Sequence, residues 1–240
     1  MKQLSFLSLI FALLSLVFLL LLVFFRTSFP AYPLMSYQDV IDLLTPLALI
    51  LVYWLLFKYS SSEPASLTEE ILFLLFAVFW VEGHGIHLAA NSINNLIHAL
   101  AERGGIDLIG SDLNTLTYFL DEHLSHYVWH IGIVGLAALL IYRDWRSPSG
   151  EETISWATIL GGLIYGFTYF VIFLEGQTVP LGLTFALLVV LFTLIWGRGK
   201  LASHPVLAFF FISCLVALLL FAAWGLYWGG FPQLSDVGLI

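Results

Sequence analysis

The sequence has few charged residues. Asp, Glu, Lys and Arg make up 10% of its 240 residues, whereas hydrophobic residues make up 60% and the mean hydropathy is +0.99. In a soluble domain about a quarter of the residues are charged. This chain has too few charged residues to cover a surface in water. Helices of about 20 apolar residues, long enough to cross a bilayer, explain the excess. We therefore expect an integral membrane protein.

Basic residues, phosphate-binding loops and cysteine are also scarce. Lys and Arg number 8 against 16 Asp and Glu, and this net charge of −8 argues against nucleic acid as a partner. The sequence contains no glycine-rich nucleotide-binding loop. Its single cysteine, Cys214, excludes an internal disulfide and a site of several thiolates. Cys214 lies in an apolar run, where we expect it only to pack.

Apolar runs and their breaks predict an all-α bundle of about seven transmembrane helices in one domain over 1–240. The expected spans are 4–25, 40–57, 71–100, 114–142, 154–174, 179–197 and 205–230. The first run is longer than the apolar core of a signal peptide and precedes no small-residue cleavage site, so we expect it to stay in the protein. Ser66 and Glu69 predict a capping box before the third span.

The basic residues predict the orientation of the bundle. Six lie at the amino terminus or in alternate loops, and two lie on the opposite side. The first group is Lys2, Lys58, Arg143, Arg146, Arg198 and Lys200, and the second is Arg26 and Arg103. Cytoplasmic loops are enriched in Lys and Arg, so we expect a cytoplasmic amino terminus and an outside carboxyl terminus. The plasma membrane of a bacterium or an archaeon is the expected location.

Six of the seven histidines occur in the third and fourth spans. They are His84, His87, His98, His123, His126 and His130. Ionisable side chains at membrane depth are costly, and they indicate a functional site. These two spans are therefore the candidate site of the protein.

Helical geometry places most of these histidines on two facing stripes. At about 100° per residue, His84, His87 and His98 share a face of the third span with three asparagines, Asn91, Asn94 and Asn95. The three histidines of the fourth span lie within an arc of about 60°. Because the two spans are antiparallel neighbours, His84 is expected level with His130, His87 with His126 or Tyr127, and Asn91 with His123. We expect the stripes to meet in the outer half of the bilayer.

Paired imidazoles on facing helices are typical of metal sites in helix bundles. Neutral imidazole binds zinc, iron and copper, and a catalytic zinc keeps one position for an activated water. The candidate ligands are His84, His87, His123, His126 and His130.

Three carboxylates are candidates for the catalytic base or for a supporting role. Glu122 flanks the histidine arc of the fourth span, and we expect it to be the base or a ligand. Glu82 lies about 160° from His84, and Asp121 is equally far from His123. Gly83 and Gly85 allow another helix to approach closely, which could bring Glu82 against a different span.

The string Ser125-His126-Tyr-Val-Trp-His130 resembles the Ser-His-x-x-x-His motif of the hemolysin III and progestin/adiponectin-receptor proteins. These belong to a seven-span superfamily with the alkaline ceramidases, in which the motif lies on the last span. The resemblance implies zinc on His126 and His130, with His84 or His87 as a third ligand, and hydrolysis of a lipid amide.

These observations predict a zinc-dependent hydrolase of a lipid amide or ester, with membrane lipid and a metal ion as partners. The ligands would be His84, His87, His126 and His130, with Glu122 as base. A second hypothesis is a redox protein that holds haem b or non-haem iron. His84 and His98 are fourteen residues apart, a spacing that can stack two haems along one helix, but the fourth span has no second such pair, so at most one bis-histidine haem is supported. A transporter or proton relay using Glu82, Asp42 and the histidines, and a structural hydrogen-bond network, are also open. The oligomeric state stays open.

Overall fold

The computed structural model describes residues 3–25, 27, 29–30, 35–106, 108–148 and 155–239. Within these ranges there is no β-strand, and seven helices are long and apolar enough to cross a membrane. They are α1 Gln3–Phe24, α2 Tyr37–Tyr59, α3 Leu67–Glu102, α4 Asp112–Arg146, α5 Trp156–Glu175, α6 Val179–Gly197 and α7 Pro205–Trp228. The predicted all-α membrane bundle is confirmed. Lys2 and Arg26, which enter the orientation prediction, lie outside the described residues.

Capping boxes fix where two of the helices begin. The predicted box before α3 is present: Glu69 N donates to Ser66 Oγ at 3.3 Å, and Ser66 N donates to the Glu69 carboxylate at 2.7 Å. Ser36 and Asp39 form the same arrangement at the start of α2. Each box satisfies backbone N–H groups that have no partner within their own helix.

Glycines allow α3 and α4 to pack in direct backbone contact. A methyl group on Gly83 of α3 would overlap the backbone of Trp129 on α4. In the reverse direction, a methyl group on Gly132 would lie 2.6 Å from Trp80 N. Gly85 has no neighbouring atom within 4 Å of such a methyl group. Only the first glycine of the Gly83–Gly85 pair therefore serves the predicted close approach.

Buried charges join the helices at the end of the bundle that holds the α2–α3 and α4–α5 connections. The Arg143 guanidinium is 2% exposed and lies 2.8 Å from the Glu69 carboxylate. It also donates to the carbonyls of Phe57 and Glu63, at 3.2 and 3.1 Å. We name the opposite end, where α7 finishes, the carboxyl-terminal end; α7 starts at the first end, next to His204.

Candidate functional site

A cavity of about 350 Å³ lies between helices α1 to α5 and the chain segment 231–239. It extends from Gln38, Glu175 and Ser235 at the carboxyl-terminal end to Trp80 and Tyr165 nearer the centre of the bundle. Ligand sites are typically cavities of this size that combine a mostly apolar lining with a few polar groups. This cavity is the candidate functional site.

The cavity has an apolar wall and a polar wall. α1 supplies the apolar wall, with Phe11, Phe18, Leu19, Leu22 and Val23. Helices α2, α3 and α4 supply the polar wall, with Asp42, His84, His87, Glu122 and His126. An amphiphilic molecule can contact both walls at once.

Two histidines of α3 are each paired with a buried carboxylate from another helix. His84 Nε2 lies 3.2 Å from Asp42 Oδ1 of α2, and both side chains are almost fully buried. His87 Nδ1 lies 2.8 Å from Asp121 Oδ1 of α4. A carboxylate at one ring nitrogen fixes the orientation and tautomer of the imidazole, which leaves the other nitrogen for chemistry.

His126 of α4 lies against His87, with their ring centroids 4.8 Å apart. Its Nδ1 is 3.1 Å from the backbone carbonyl of Glu122. Because a carbonyl only accepts hydrogen bonds, Nδ1 carries the hydrogen and Nε2 is the basic nitrogen of the neutral ring. The antiparallel register predicts His87 level with His126 or Tyr127, and the structure brings His87 and His126 together.

His130 points away from the cavity. Its Nδ1 is 2.5 Å from Thr178 Oγ1, and its ring packs against Phe173 at a centroid distance of 4.6 Å. The Trp129 ring contacts both His84 and His130, with centroid distances of 3.8 and 4.8 Å. The two histidines that the register predicts at the same level therefore face different parts of the bundle.

A π-helical turn in α4 changes which side chains face α3. Residues Phe119–Ser125 form this turn within the otherwise α-helical span. A π turn inserts one extra residue into an α-helix. Residues after the turn are therefore rotated about the helix axis by about 100° relative to their positions in a regular α-helix. His123 is consequently exposed beside Tyr118, whereas Asp121 is buried against His87. The α-helical count that groups His123 with His126 and His130 does not apply across this turn.

The remaining candidates lie partly inside and partly outside the cavity. Glu122 lines it, and its Oε2 accepts a hydrogen bond from Gln177 Nε2 at 3.2 Å. Glu82 is exposed on the outward face of α3, and Gly83 beside it does not bring it against another span. His98 is also exposed.

Several groups at the site have only a weak signal in the sequence. For Asp42 this weak signal is the presence of a carboxylate inside an apolar span. In the sequence analysis Asp42 enters only the proton-relay hypothesis. The segment after α7 shows no pattern, yet it lies over the carboxyl-terminal end of the cavity. Leu234 N and Ser235 Oγ both donate to the Glu175 carboxylate, and Gln233 Nε2 donates to the Glu175 carbonyl.

In the described part of the chain, no three His, Cys, Asp or Glu side chains are arranged so that they could hold a metal ion. In this geometry His84, His87 and His130 are held by Asp42, Asp121 and Thr178 respectively. His87 and His126 can contribute one nitrogen each to a shared ion.

Comparisons with known proteins show a similarity to ceroid-lipofuscinosis neuronal protein 6. The chain is 24% identical over 187 residues to the ceroid-lipofuscinosis neuronal protein 6 homolog of the dog, Canis lupus familiaris, which covers 73% of this chain and 60% of that protein. It has the same identity and coverage with human ceroid-lipofuscinosis neuronal protein 6. The chain thus spans about 60% of the length of these relatives. No family model matches the chain.

No solved structure matches it either. The chain is a multi-pass membrane protein, similar in sequence to ceroid-lipofuscinosis neuronal protein 6, with a cavity walled by histidines and carboxylates at one end of its bundle.

Proposed function

We propose that this protein is a membrane enzyme that hydrolyses an amide or ester bond of a lipid in the cavity. The observation that carries the proposal is the pair of His87 with the buried Asp121, 2.8 Å apart, beside a cavity whose opposite wall is apolar. A lipid chain along α1 would place a polar group near the histidines. A histidine oriented by a carboxylate is a common general base.

Besides water, the reaction needs only residues of the cavity wall and Asp121, which is buried behind His87. The Asp121 carboxylate lies 2.8 Å from His87 Nδ1 and favours the tautomer that carries its hydrogen there. Nε2 then takes a proton from a water molecule whose oxygen attacks the carbonyl carbon. A new C–O bond forms, the C–N or C–O bond to the leaving group breaks, and the proton passes to the departing amine or alcohol. Asp121 stabilises the protonated ring during this transfer. His126 lies against His87, and Glu122 lines the same cavity.

Indole N–H groups are candidates for stabilising the oxyanion of this reaction. The Nε1 atoms of Trp80 and Trp129 are buried without a hydrogen-bond partner, and both residues line the cavity. An indole nitrogen can only donate. Hydrogen-bond donors that are already positioned where negative charge develops supply a large share of catalysis in acyl transfer.

A zinc-dependent form of the same hydrolysis is the second candidate. It is supported by the proximity of His87 and His126 and by the carboxylates around them. A bound zinc would supply an activated water. The predicted ligands His84 and His130 would first have to leave Asp42 and Thr178.

A haem protein and a proton relay have less support. For haem, His84 is packed 3.8 Å from the Trp129 ring and pairs with Asp42, while His98 is exposed. For a proton relay, the polar wall would have to continue towards the other end, where the cavity instead reaches Phe11, Leu49 and Ile133. The expected location in a bacterial or archaeal plasma membrane stays a prediction, and the two similar proteins are mammalian.

Hydrolysis by detergent-purified protein tests the proposal. The substrates are long-chain amides and esters, and release of the fatty acid is measured. We expect His87→Ala and Asp121→Asn to lower kcat about 100-fold or more, the usual contribution of a general base. The matched controls are His98→Ala on α3 and His123→Ala on α4, which remove exposed histidines from the same helices and should retain activity.

Metal dependence is measured on the same preparation. Activity that survives chelation supports the histidine–carboxylate mechanism, whereas activity lost on chelation and restored by zinc supports the metal form. Full activity of His87→Ala, or no hydrolysis of any lipid amide or ester, would rule the proposal out.

A further inference from the structure

The cavity is lined by acidic side chains and, among its described lining residues, by neither Lys nor Arg. The carboxylates are Asp39, Asp42, Glu122 and Glu175. Asp42 is paired with His84, and three further carboxylates line the cavity without a basic partner. The cavity therefore favours positive charge over negative charge.

The three remaining carboxylates are at the carboxyl-terminal end and are not neutralised by a cation. Asp39 accepts from the Ser36 backbone, and Glu122 accepts from the Gln177 amide. Glu175 accepts from the backbone of Leu234. All these donors are uncharged, and the described ion pairs of the protein join none of the three carboxylates to Lys or Arg. Their charges are therefore available to a ligand.

A second, independent observation points to a ligand in the same cavity. Trp80 and His84 line it and are each only 3% exposed, yet Trp80 Nε1 and His84 Nδ1 have no hydrogen-bond partner. Buried polar groups are satisfied in the great majority of cases, and each exception needs an explanation. An oxygen of a bound molecule would satisfy the Trp80 donor, deeper in the cavity than the carboxylates.

We propose that the cavity selects amphiphiles with a cationic amine in the head group and excludes those with an anionic phosphate. The amine lies among Asp39, Glu122 and Glu175, the alkyl chain contacts α1, and an oxygen of the ligand accepts from Trp80. This inference deepens the proposed function and rests on it for one point only, that the bound amphiphile is the substrate. The substrate class is then a lipid amide or ester that carries an amine.

A matched pair of probes tests the selectivity. Dodecylamine and dodecyl phosphate have the same alkyl chain and opposite head-group charge, and neither has a bond that the proposed reaction could cleave. Their binding to the whole protein in neutral detergent is followed by tryptophan fluorescence, to which Trp80 and Trp129 in the cavity wall contribute. We expect the amine to bind about tenfold more tightly than the phosphate or better, since like charges in contact are strongly unfavourable.

Variants show whether the cavity is responsible for this preference. Glu122→Gln and, independently, Glu175→Gln should reduce the preference several-fold. Glu102→Gln removes an exposed carboxylate near the end of α3, outside the cavity, and should leave the preference unchanged. Equal binding of the two probes, or the same loss in all three variants, would overturn the inference. Because the probes are not hydrolysed, failure of the enzymatic proposal appears only in the turnover assay.

Discussion

Ion pairs connect residues of different helices in the described part of this protein. His84 with Asp42, His87 with Asp121 and Arg143 with Glu69 each join residues that are distant in sequence. Removal of one partner of a buried ion pair leaves an uncompensated charge, which costs more than the pair itself contributes. Both histidines and Asp42 line the cavity, whereas Arg143 lies at the other end of the bundle and has a structural role.

Arg143→Gln is expected to destabilise the fold strongly. The substitution removes the buried guanidinium from the Glu69 carboxylate, which leaves it only the exposed Arg146 at 3.8 Å, and it also removes two hydrogen bonds to backbone carbonyls. Breaking a buried pair in this way costs about 3–5 kcal/mol. Thermal unfolding of purified protein in detergent measures the loss.

Arg146→Gln is the matched control for that substitution. The Arg146 side chain is 59% exposed and lies 3.8 Å from the same Glu69 carboxylate. An exposed pair contributes about 0–1 kcal/mol, so this variant should unfold close to the wild-type temperature. Equal destabilisation by both substitutions would contradict a special role for the buried guanidinium.

The residue types at the site were predictable from the sequence, but several of their partners were not. Histidines inside apolar spans are conspicuous, and the antiparallel arrangement of α3 and α4 was enough to place His87 beside His126. The pairing of His84 with Asp42 depends on how α2 packs against α3, which no local pattern encodes. Asp121 was misplaced on the helical wheel because the count assumed a regular α-helix through residues 119–125.

At the scale of the helices, apolar runs located every span to within four residues. They succeed because about 20 apolar residues are needed to cross a bilayer whatever the neighbouring helices do. The π turn of α4 had no such signal, since the choice between α and π geometry in Phe119–Ser125 is not visible in its composition. Irregular turns of this kind are frequent at functional sites, and this one brings Asp121 to His87.

Gly83→Ala tests the contact that sets α3 against α4. Its methyl group would overlap the Trp129 backbone, and backbone atoms cannot rotate away as a flexible side chain can. Overpacking of this kind costs about 1–3 kcal/mol. We expect a lower unfolding temperature and, because the two helices separate, a loss of the proposed hydrolase activity.

Gly85→Ala, two residues further along the same helix, is the control for this contact. Nothing lies within 4 Å of its new methyl group, and alanine is favoured over glycine within a helix by about 1 kcal/mol. This variant should be as stable as the wild type or slightly more so. If Gly83→Ala were equally well tolerated, the direct backbone contact between α3 and α4 would be in doubt.

At the scale of the whole molecule, the bundle is asymmetric along its long axis. The cavity and its carboxylates occupy the carboxyl-terminal end, while the Arg143–Glu69 network occupies the other. Most of the basic residues used to predict the orientation also lie at the end that holds the Arg143–Glu69 network. They include Lys58, Arg146, Arg198 and Lys200. By the enrichment of Lys and Arg in cytoplasmic loops, the cavity should lie on the side away from the cytoplasm.

Cysteine labelling tests this orientation. Cys214 is 2% exposed, so the wild-type chain provides a background that an impermeant maleimide should not label. Ser62→Cys places an exposed thiol in the α2–α3 connection, and Leu239→Cys places one beyond α7, at the cavity end. Impermeant maleimide added to sealed vesicles of known sidedness should label Ser62→Cys from the cytoplasmic face only and Leu239→Cys from the opposite face only.

The reverse result would place the cavity on the cytoplasmic side, so a lipid substrate would have to come from that leaflet. Labelling of both thiols from one face would contradict an odd number of membrane crossings between residues 62 and 239.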